Sequence, residues 1–276
     1  MKNFFALLLC LTFITPLFAQ HHHHHGEEPH FCHQVEETEK YFESLSPAEQ
    51  AEFKANEEAL KQFRDQFIAN HPELLQSNGN RSISYTIPVV FHIIHAGGPE
   101  NISNEQVEDC IRILNNDFQK LNADANNVNS NFLPIVADAE IQFKLARRDP
   151  NGNCTNGITR TFSNLTFGAT GQQRLSLVQQ NHGNWPGDRY LNVFVAADIG
   201  GAAGYTFLPN FSGMGNGIHV LHNYVGGIGT ANFQTSRTMT HEVGHWLDLP
   251  HTWGPTNNPG LQSNCDFDDG IADTPN

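Results

Sequence analysis

Residues 241–251 combine three histidines and one glutamate, side chains that can bind a metal ion and transfer a proton. They read HEVGHWLDLPH, an HExxH pattern with a third histidine six positions after the second. Residues four apart share one face of a helix, so His241 and His245 could bind one zinc ion. Glu242 suits a carboxylate that takes a proton from water at the metal. His251 supplies a third ligand if the helix ends and the chain turns back, which leaves one zinc position open.

The residues around the motif allow that turn. Asp248 stands where the backbone must turn sharply, and Asp tolerates a left-handed conformation better than most non-glycine residues. Pro250 then prevents the helix from continuing. No glutamate follows His251, so a zinc site completed by a downstream glutamate fits worse. Apolar residues at four-residue spacing predict a buried helix face: Met239, Val243 and Leu247.

The stretch HEVGHWLDLPHTWG at residues 241–254 resembles the pappalysin-like (cytophagalysin) metalloproteases of the metzincin clan. The resemblance continues in YTIPVVFHIIH, GIHVLHNYVG and CDFDDGIADTP. It implies a zinc endopeptidase with His241, His245 and His251 as ligands and Glu242 as general base and acid. It also implies an α/β (α+β) metzincin-type fold, in which a twisted mixed sheet carries a backing helix and an active-site helix.

Metzincins have a methionine-containing turn below the zinc, downstream of the third histidine. The methionines of this chain are Met1, Met214 and Met239, and all precede His251. We therefore expect the chain to end inside the family domain, with an incomplete lower subdomain.

Carboxylates crowd together after the zinc motif. Like charges at this density repel each other unless a cation or solvent separates them, and Ca²⁺ prefers hard oxygen ligands. Because the family has calcium sites near this segment, we predict a calcium site here; a solvated acidic loop is the alternative. Its candidate ligands are Asp266, Asp268, Asp269, Asp273 and Thr274.

The N-terminus predicts export. Lys2 precedes an apolar run, and Ala19 offers a small residue for cleavage, which is typical of a secretory signal peptide at residues 1–19. That run is short for a membrane span, and no other run is long enough. The net charge of −14 argues against nucleic acid and anionic membrane surfaces as partners. We expect a secreted monomer.

Residues 20–81 predict a prosegment ahead of a catalytic domain at residues 82–276. The five histidines at His21–His25 are either native or a tag, and we assign them no role. The polar stretch that follows favours helix and stops at His71-Pro72. Arg81, in a turn-rich linker, is a candidate maturation site; a simple loop is the alternative.

Four cysteines follow the signal peptide, and export places them in an oxidising compartment. Cys32 precedes the helical stretch. Because the family contains cysteine-switch latency, Cys32 is the candidate thiol that fills the open zinc position; a disulfide or an idle thiol is the alternative. Cys110 and Cys154 are a candidate disulfide, with two buried free thiols as the alternative.

Apolar and β-branched segments predict strands at residues 85–95, 141–145, 190–196 and 217–225. Helical spacing after Ser103 predicts the long backing helix. In the family, the strand before the active-site helix is the sheet edge that pairs with extended substrate. We therefore expect a protein or peptide substrate along residues 217–225.

Four further histidines lie in two of these strands. His92 and His95 are expected to be structural, because three better ligands exist. His219 and His222 are expected to be exposed strand residues, with a place in the substrate cleft as the alternative.

The sequence thus predicts a secreted zinc-dependent endopeptidase. The alternative is a non-catalytic zinc- and calcium-binding module, or an inactive fragment. The presence of Glu242 favours the enzyme, because three histidines alone would suffice to bind zinc.

Overall fold

The computed structural model describes residues 32–72, 85–209 and 217–271. Its centre is a six-stranded sheet. The predicted signal peptide (1–19), the His21–His25 run and Arg81 lie outside the described residues. The strands are β1 (Tyr85–His95), β2 (Ile141–Leu145), β3 (Ile158–Phe162), β4 (Leu191–Ala196), β5 (Gly204–Tyr205) and β6 (Gly217–Leu221).

The strand order is β2-β1-β4-β6-β5, and β3 pairs with the second half of β1. Strands β1, β2, β3, β4 and β6 run parallel, whereas β5 runs antiparallel to β6. The expectation that residues 217–225 form the sheet edge is wrong. β6 has β4 on one side and β5 on the other, so β5 is the edge strand.

One face of the sheet carries the backing helix α3 (Asn104–Phe118) and the later helix α5 (Thr238–Trp246). Ser103 caps α3, because its side chain accepts a hydrogen bond from the Gln106 amide. The Gln106 side chain donates to the carbonyls of His222 and Val225. The helix thereby anchors the loop that leads from β6 toward α5.

The core lies between these helices and the sheet. It is almost fully excluded from solvent, and burial of apolar surface supplies the main driving force for this packing. Its members include Val89, Phe91, Ile93, Val107, Leu114, Val193, Ile218, Val220, Met239 and Val243.

The other face of the sheet carries α4 (Gly171–His182), which begins at a capping box formed by Thr170 and Gln173. Arg174 of α4 is buried and donates to the Tyr205 hydroxyl and to His219. His219 is therefore part of the interior, and the expectation that it is an exposed strand residue is wrong.

Residues 32–72 form an N-terminal arm of two helices, α1 (Gln34–Ser44) and α2 (Pro47–Asn70). Ser46 and Glu49 form a capping box at the start of α2, and Pro47 occupies its first turn. Phe53 packs against Phe42 with ring centroids 5.6 Å apart. The helix ends before His71, as the sequence predicts.

None of the helices in the described part of the chain has the length and apolar character that a bilayer crossing requires.

Candidate active site

Helix α5 holds His241 and His245 on the face that turns away from the core. Met239 and Val243 on its opposite face are buried, as the four-residue spacing predicts. The Nε2 atoms of His241 and His245 are 3.1 Å apart. The helix therefore presents two imidazole nitrogens to one point in space.

A left-handed turn at Asp248 ends the helix and returns the chain to the same point. Asp248 has φ 72°, as predicted for this position. The Leu249 amide donates to the Gly244 carbonyl over 3.0 Å, which closes the turn. His251 then lies with its Nε2 3.1 Å from that of His245. The structure thus brings the three predicted metal-ligating histidines together.

The ring of His245 is held in one tautomer. Its Nδ1 lies 2.7 Å from the Leu249 carbonyl oxygen, which can only accept, so Nδ1 carries the proton. Its Nε2 therefore offers a lone pair toward the other two histidines. This is the outer hydrogen bond that a metal-ligating histidine usually makes.

The histidine cluster is electrically suited to a cation. Burial, together with the neighbouring histidines, lowers the pKa of His241 and of His251 to about 4. Burial also lowers the pKa of His245. The imidazoles are therefore neutral at pH 7, which is the form that binds metals.

Cys32 of the N-terminal arm completes the cluster. Its Sγ lies 3.5 Å from Nε2 of His245, and one ligand atom from each of the four residues falls within 4.8 Å of the others. Burial is the main cause that raises the pKa of the Cys32 thiol. Three imidazoles and one thiol with converging atoms match the ligand set that zinc prefers.

Glu242 lies beside this cluster and is fully buried. Burial raises the pKa of its carboxyl well above the usual range, and the nearby Cys32 thiol and Thr206 amide oppose the rise only in part. Neither carboxylate oxygen has a hydrogen-bond partner of normal geometry within the described ranges. A buried, perturbed carboxyl next to a metal-type cluster is a candidate general base.

The arm enters the site along the sheet edge. Cys32 forms an isolated parallel bridge with Gly204 of β5, and the His33 amide donates to the Gly204 carbonyl over 3.3 Å. Sequence reasoning missed this edge, because a two-residue strand shows no alternation of apolar and polar residues.

Further contacts join the arm to the loops that follow helix α5. Arg64 Nη1 donates to Asp248 Oδ2 over 2.8 Å, directly at the turn between His245 and His251. The Val35 amide donates to Asn257 Oδ1 over 3.3 Å. No local sequence signal marks Arg64 for this contact, because its partner is far away in the chain.

The other predicted site residues are not brought together. Within residues 32–72, 85–209 and 217–271, the Cys32–histidine cluster is the one metal-type group found, and it contains no aspartate. Asp268 and Asp269 instead accept bonds from the amides of Gly270 and Ile271. Asp266 is exposed, and Asp273 and Thr274 lie outside the described residues.

Cys110 and Cys154 are free thiols, so the disulfide predicted between them is wrong for this structure. Cys110 lies on the core-facing side of α3 and is buried, whereas Cys154 is exposed and forms an isolated bridge with Arg148. His92 is structural, as expected: it is buried and bonds to Thr159 and Asn192 over 2.8 and 3.0 Å.

The known proteins that this chain resembles are metalloproteases. The Peptidase_M43 family model, described as "Pregnancy-associated plasma protein-A", matches residues 175–276. An extracellular metalloprotease of the fungus Colletotrichum graminicola is 28% identical over 200 residues, which cover 69% of this chain and 57% of that protein. Extracellular metalloprotease 1 of Coccidioides posadasii is 27% identical, with 58% of its length covered. The chain thus spans somewhat more than half of these curated relatives.

The solved structures that resemble this chain include mature mirolysin and promirolysin. Mature mirolysin of Tannerella forsythia, in complex with a cleaved peptide, is 41% identical with a TM-score of 0.61; the match covers 71% of this chain and 73% of that one. A promirolysin mutant of the same organism is 38% identical with a TM-score of 0.62, and the match covers 79% of this chain and 71% of that one.

Proposed function

Because this chain belongs to the pappalysin family of metzincin metalloproteases, we propose that it is a secreted zinc-dependent endopeptidase made in a latent form. The observation that carries the proposal is the convergence of the His241, His245 and His251 nitrogens beside the buried Glu242 carboxyl. The extracellular naming of the relatives and the signal-like residues 1–19 support secretion.

The three histidines would hold the zinc ion. When bound, zinc lowers the pKa of a water molecule and polarises the scissile carbonyl. Glu242 accepts the proton of the attacking water and delivers it to the leaving amine. Burial raises the pKa of this carboxyl, and a more basic carboxylate takes up a proton more readily. The Leu249 carbonyl keeps His245 in the tautomer that binds metal.

We propose that residues 20–81 are a prosegment and that Cys32 keeps the enzyme latent. Its thiol sits at the histidine cluster, where it would occupy the position that the attacking water needs. The match to promirolysin covers a larger share of this chain than the match to mature mirolysin, 79% against 71%, which supports an N-terminal prosegment. Arg81 is the proposed maturation site.

The substrate would be a protein or peptide that binds in extended form along the edge strand β5. The arm already uses this edge at Gly204, and main-chain hydrogen bonds to a sheet edge hold peptides without regard to sequence. The related mature mirolysin was solved with a cleaved peptide.

The test compares two chains that both carry Cys32→Ala, one with Glu242 and one with Glu242→Ala, on casein. We expect hydrolysis by the first only, together with one zinc per chain in both. Equal turnover by the two chains would refute the peptidase, and three histidines that retain no zinc would refute the metal site.

A calcium site at Asp266, Asp268, Asp269, Asp273 and Thr274 stays a prediction. Calcium added to the zinc-loaded chain should raise the melting temperature, and an Asp268→Asn variant should respond less. No calcium-dependent shift in the unmodified chain would remove this site from the account.

A further inference from the structure

The edge strand β5 has two different faces. A Cβ atom placed on Gly204 would lie 2.9 Å from Glu242 Oε1 and 3.1 Å from Thr238 Cγ2, so this position faces the histidine helix. Tyr205 faces the other way, because successive residues of a strand alternate. Its ring stacks on His219 with centroids 4.9 Å apart. A peptide added to β5 meets the histidine cluster on one face and Tyr205 on the other.

The arm illustrates this alternation. Cys32 pairs with Gly204, and its Sγ points to His245. Paired residues of a ladder face the same side of the sheet, so the neighbours of the residue opposite Gly204 face the Tyr205 side. Specificity in such edge binding comes from pockets for the alternate side chains.

A cavity of about 690 Å³ lies on the Tyr205 side. This volume falls in the range of ordinary ligand pockets, about 300–1,000 Å³. Helix α4, the loop before β4 and the arm enclose it. Its apolar wall comprises Leu175, Trp185, Phe194, Tyr205 and Phe207, with Tyr41 of α1 on the arm side.

The aromatic wall is held in place before any ligand arrives. Phe194, His219 and Tyr205 form a stack with centroid spacings of 4.8 and 4.9 Å. Buried Arg174 donates to the Tyr205 hydroxyl over 3.2 Å. Gly171 of α4 leaves no room for movement, since a Cβ there would lie 2.9 Å from that hydroxyl. Because these side chains are already ordered, little conformational entropy is lost when the cavity binds a ligand.

The arm itself shows what chemistry the cavity accepts. The Tyr41 ring lies 6.2 Å from Phe207 and 6.3 Å from Phe53, within the range of favourable aromatic pairs. We propose that this cavity is a specificity pocket for an aromatic side chain of a peptide on β5, next to the residue opposite Gly204. Tyr41 covers it in the latent chain. The proposal rests on the proposed endopeptidase function.

Binding without cleavage tests the pocket. The zinc-loaded full chain carries Cys32→Ala and Tyr41→Ala to loosen the arm, and Glu242→Ala to prevent hydrolysis. The probes are fluorescein-labelled octapeptides of alanine and serine with a single phenylalanine placed at each position in turn. Fluorescence anisotropy should show binding about tenfold or more tighter for one position, or for two positions with a single residue between them, than for the peptide without phenylalanine.

Filling or opening the cavity should remove this gain. Leu175→Trp adds volume at the wall, and Phe207→Ala removes one side of it; either should bring the phenylalanine peptide to within about twofold of its alanine counterpart. Leu121→Trp, at an exposed leucine outside the cavity, is the matched control and should keep the gain. Thermal melting of each variant verifies that it folds.

Any of three results would refute the specificity pocket: no peptide binds, phenylalanine raises the affinity at no position, or the increase in affinity survives both cavity variants. These outcomes are separate from failure of the proposed function, which is judged by casein hydrolysis in the chain that keeps Glu242.

Discussion

Removal of one sulfur atom should convert the latent chain into an active one. In Cys32→Ala the thiol that lies 3.5 Å from His245 is gone, and the position that it would occupy at the metal is free for water. A structural zinc site with four ligands stabilises a fold by about 10–16 kcal/mol, so one ligand in four contributes roughly 3 kcal/mol. Since each 1.4 kcal/mol is a factor of ten, basal activity should rise about 100-fold.

The rise should remain below full activation, because other contacts keep the arm in place. The Arg64–Asp248 ion pair and the hydrogen bond from Val35 to Asn257 are unaffected by the substitution. The assay is the initial rate on a quenched fluorescent peptide with the full chain, with Cys154→Ser as the matched control at an exposed free thiol. Cys32 does not hold the enzyme latent if the activity of Cys32→Ala stays within about twofold of that of the unmodified chain, or if Cys154→Ser activates equally.

Three further predictions concern the edge strand, the arm and the core. Gly204→Val places a side chain 2.9 Å from Glu242 Oε1, so it should lower kcat in the Cys32→Ala chain at least tenfold while zinc content is unchanged; an unchanged kcat would contradict the described packing. Arg64→Ala should weaken the arm by about 0.5–1 kcal/mol and speed its limited proteolysis two- to fivefold, whereas Lys61→Ala, which loses a pair within the same helix, should not. Burial lowers the pKa of His92 to about 4, so this histidine costs stability progressively as the pH falls from about 6.5 to 4, because the unfolded chain binds the proton first. His92→Gln should therefore flatten the fall in unfolding free energy over that window by up to about 3 kcal/mol relative to the unmodified chain; identical slopes in denaturant titrations would count against the buried neutral histidine.

The zinc motif could be predicted from sequence because its information is local. The four-residue spacing fixes which face of α5 carries the histidines, and Asp248 adopts the left-handed conformation that its position requires. The boundaries of β1 also follow from its apolar, β-branched run.

The long-range features could not be predicted, because they depend on how separate segments meet. β5 is two residues long and has no periodicity, so the substrate edge was assigned to the longer β6. The positions of cysteines in the sequence do not reveal which way their side chains point. Cys110 faces the core, whereas Cys154 faces solvent. Whether a strand histidine is buried depends on what covers it; Arg174 and the aromatic stack cover His219.

X-ray absorption at the zinc edge of the full, zinc-loaded chain shows which atoms bind the metal. We expect one zinc per chain with three nitrogen ligands and one sulfur ligand, and replacement of the sulfur by oxygen in Cys32→Ala. A zinc spectrum without sulfur in the unmodified chain would contradict the Cys32 latch. Unchanged zinc binding after His251→Ala would contradict the three-histidine site itself.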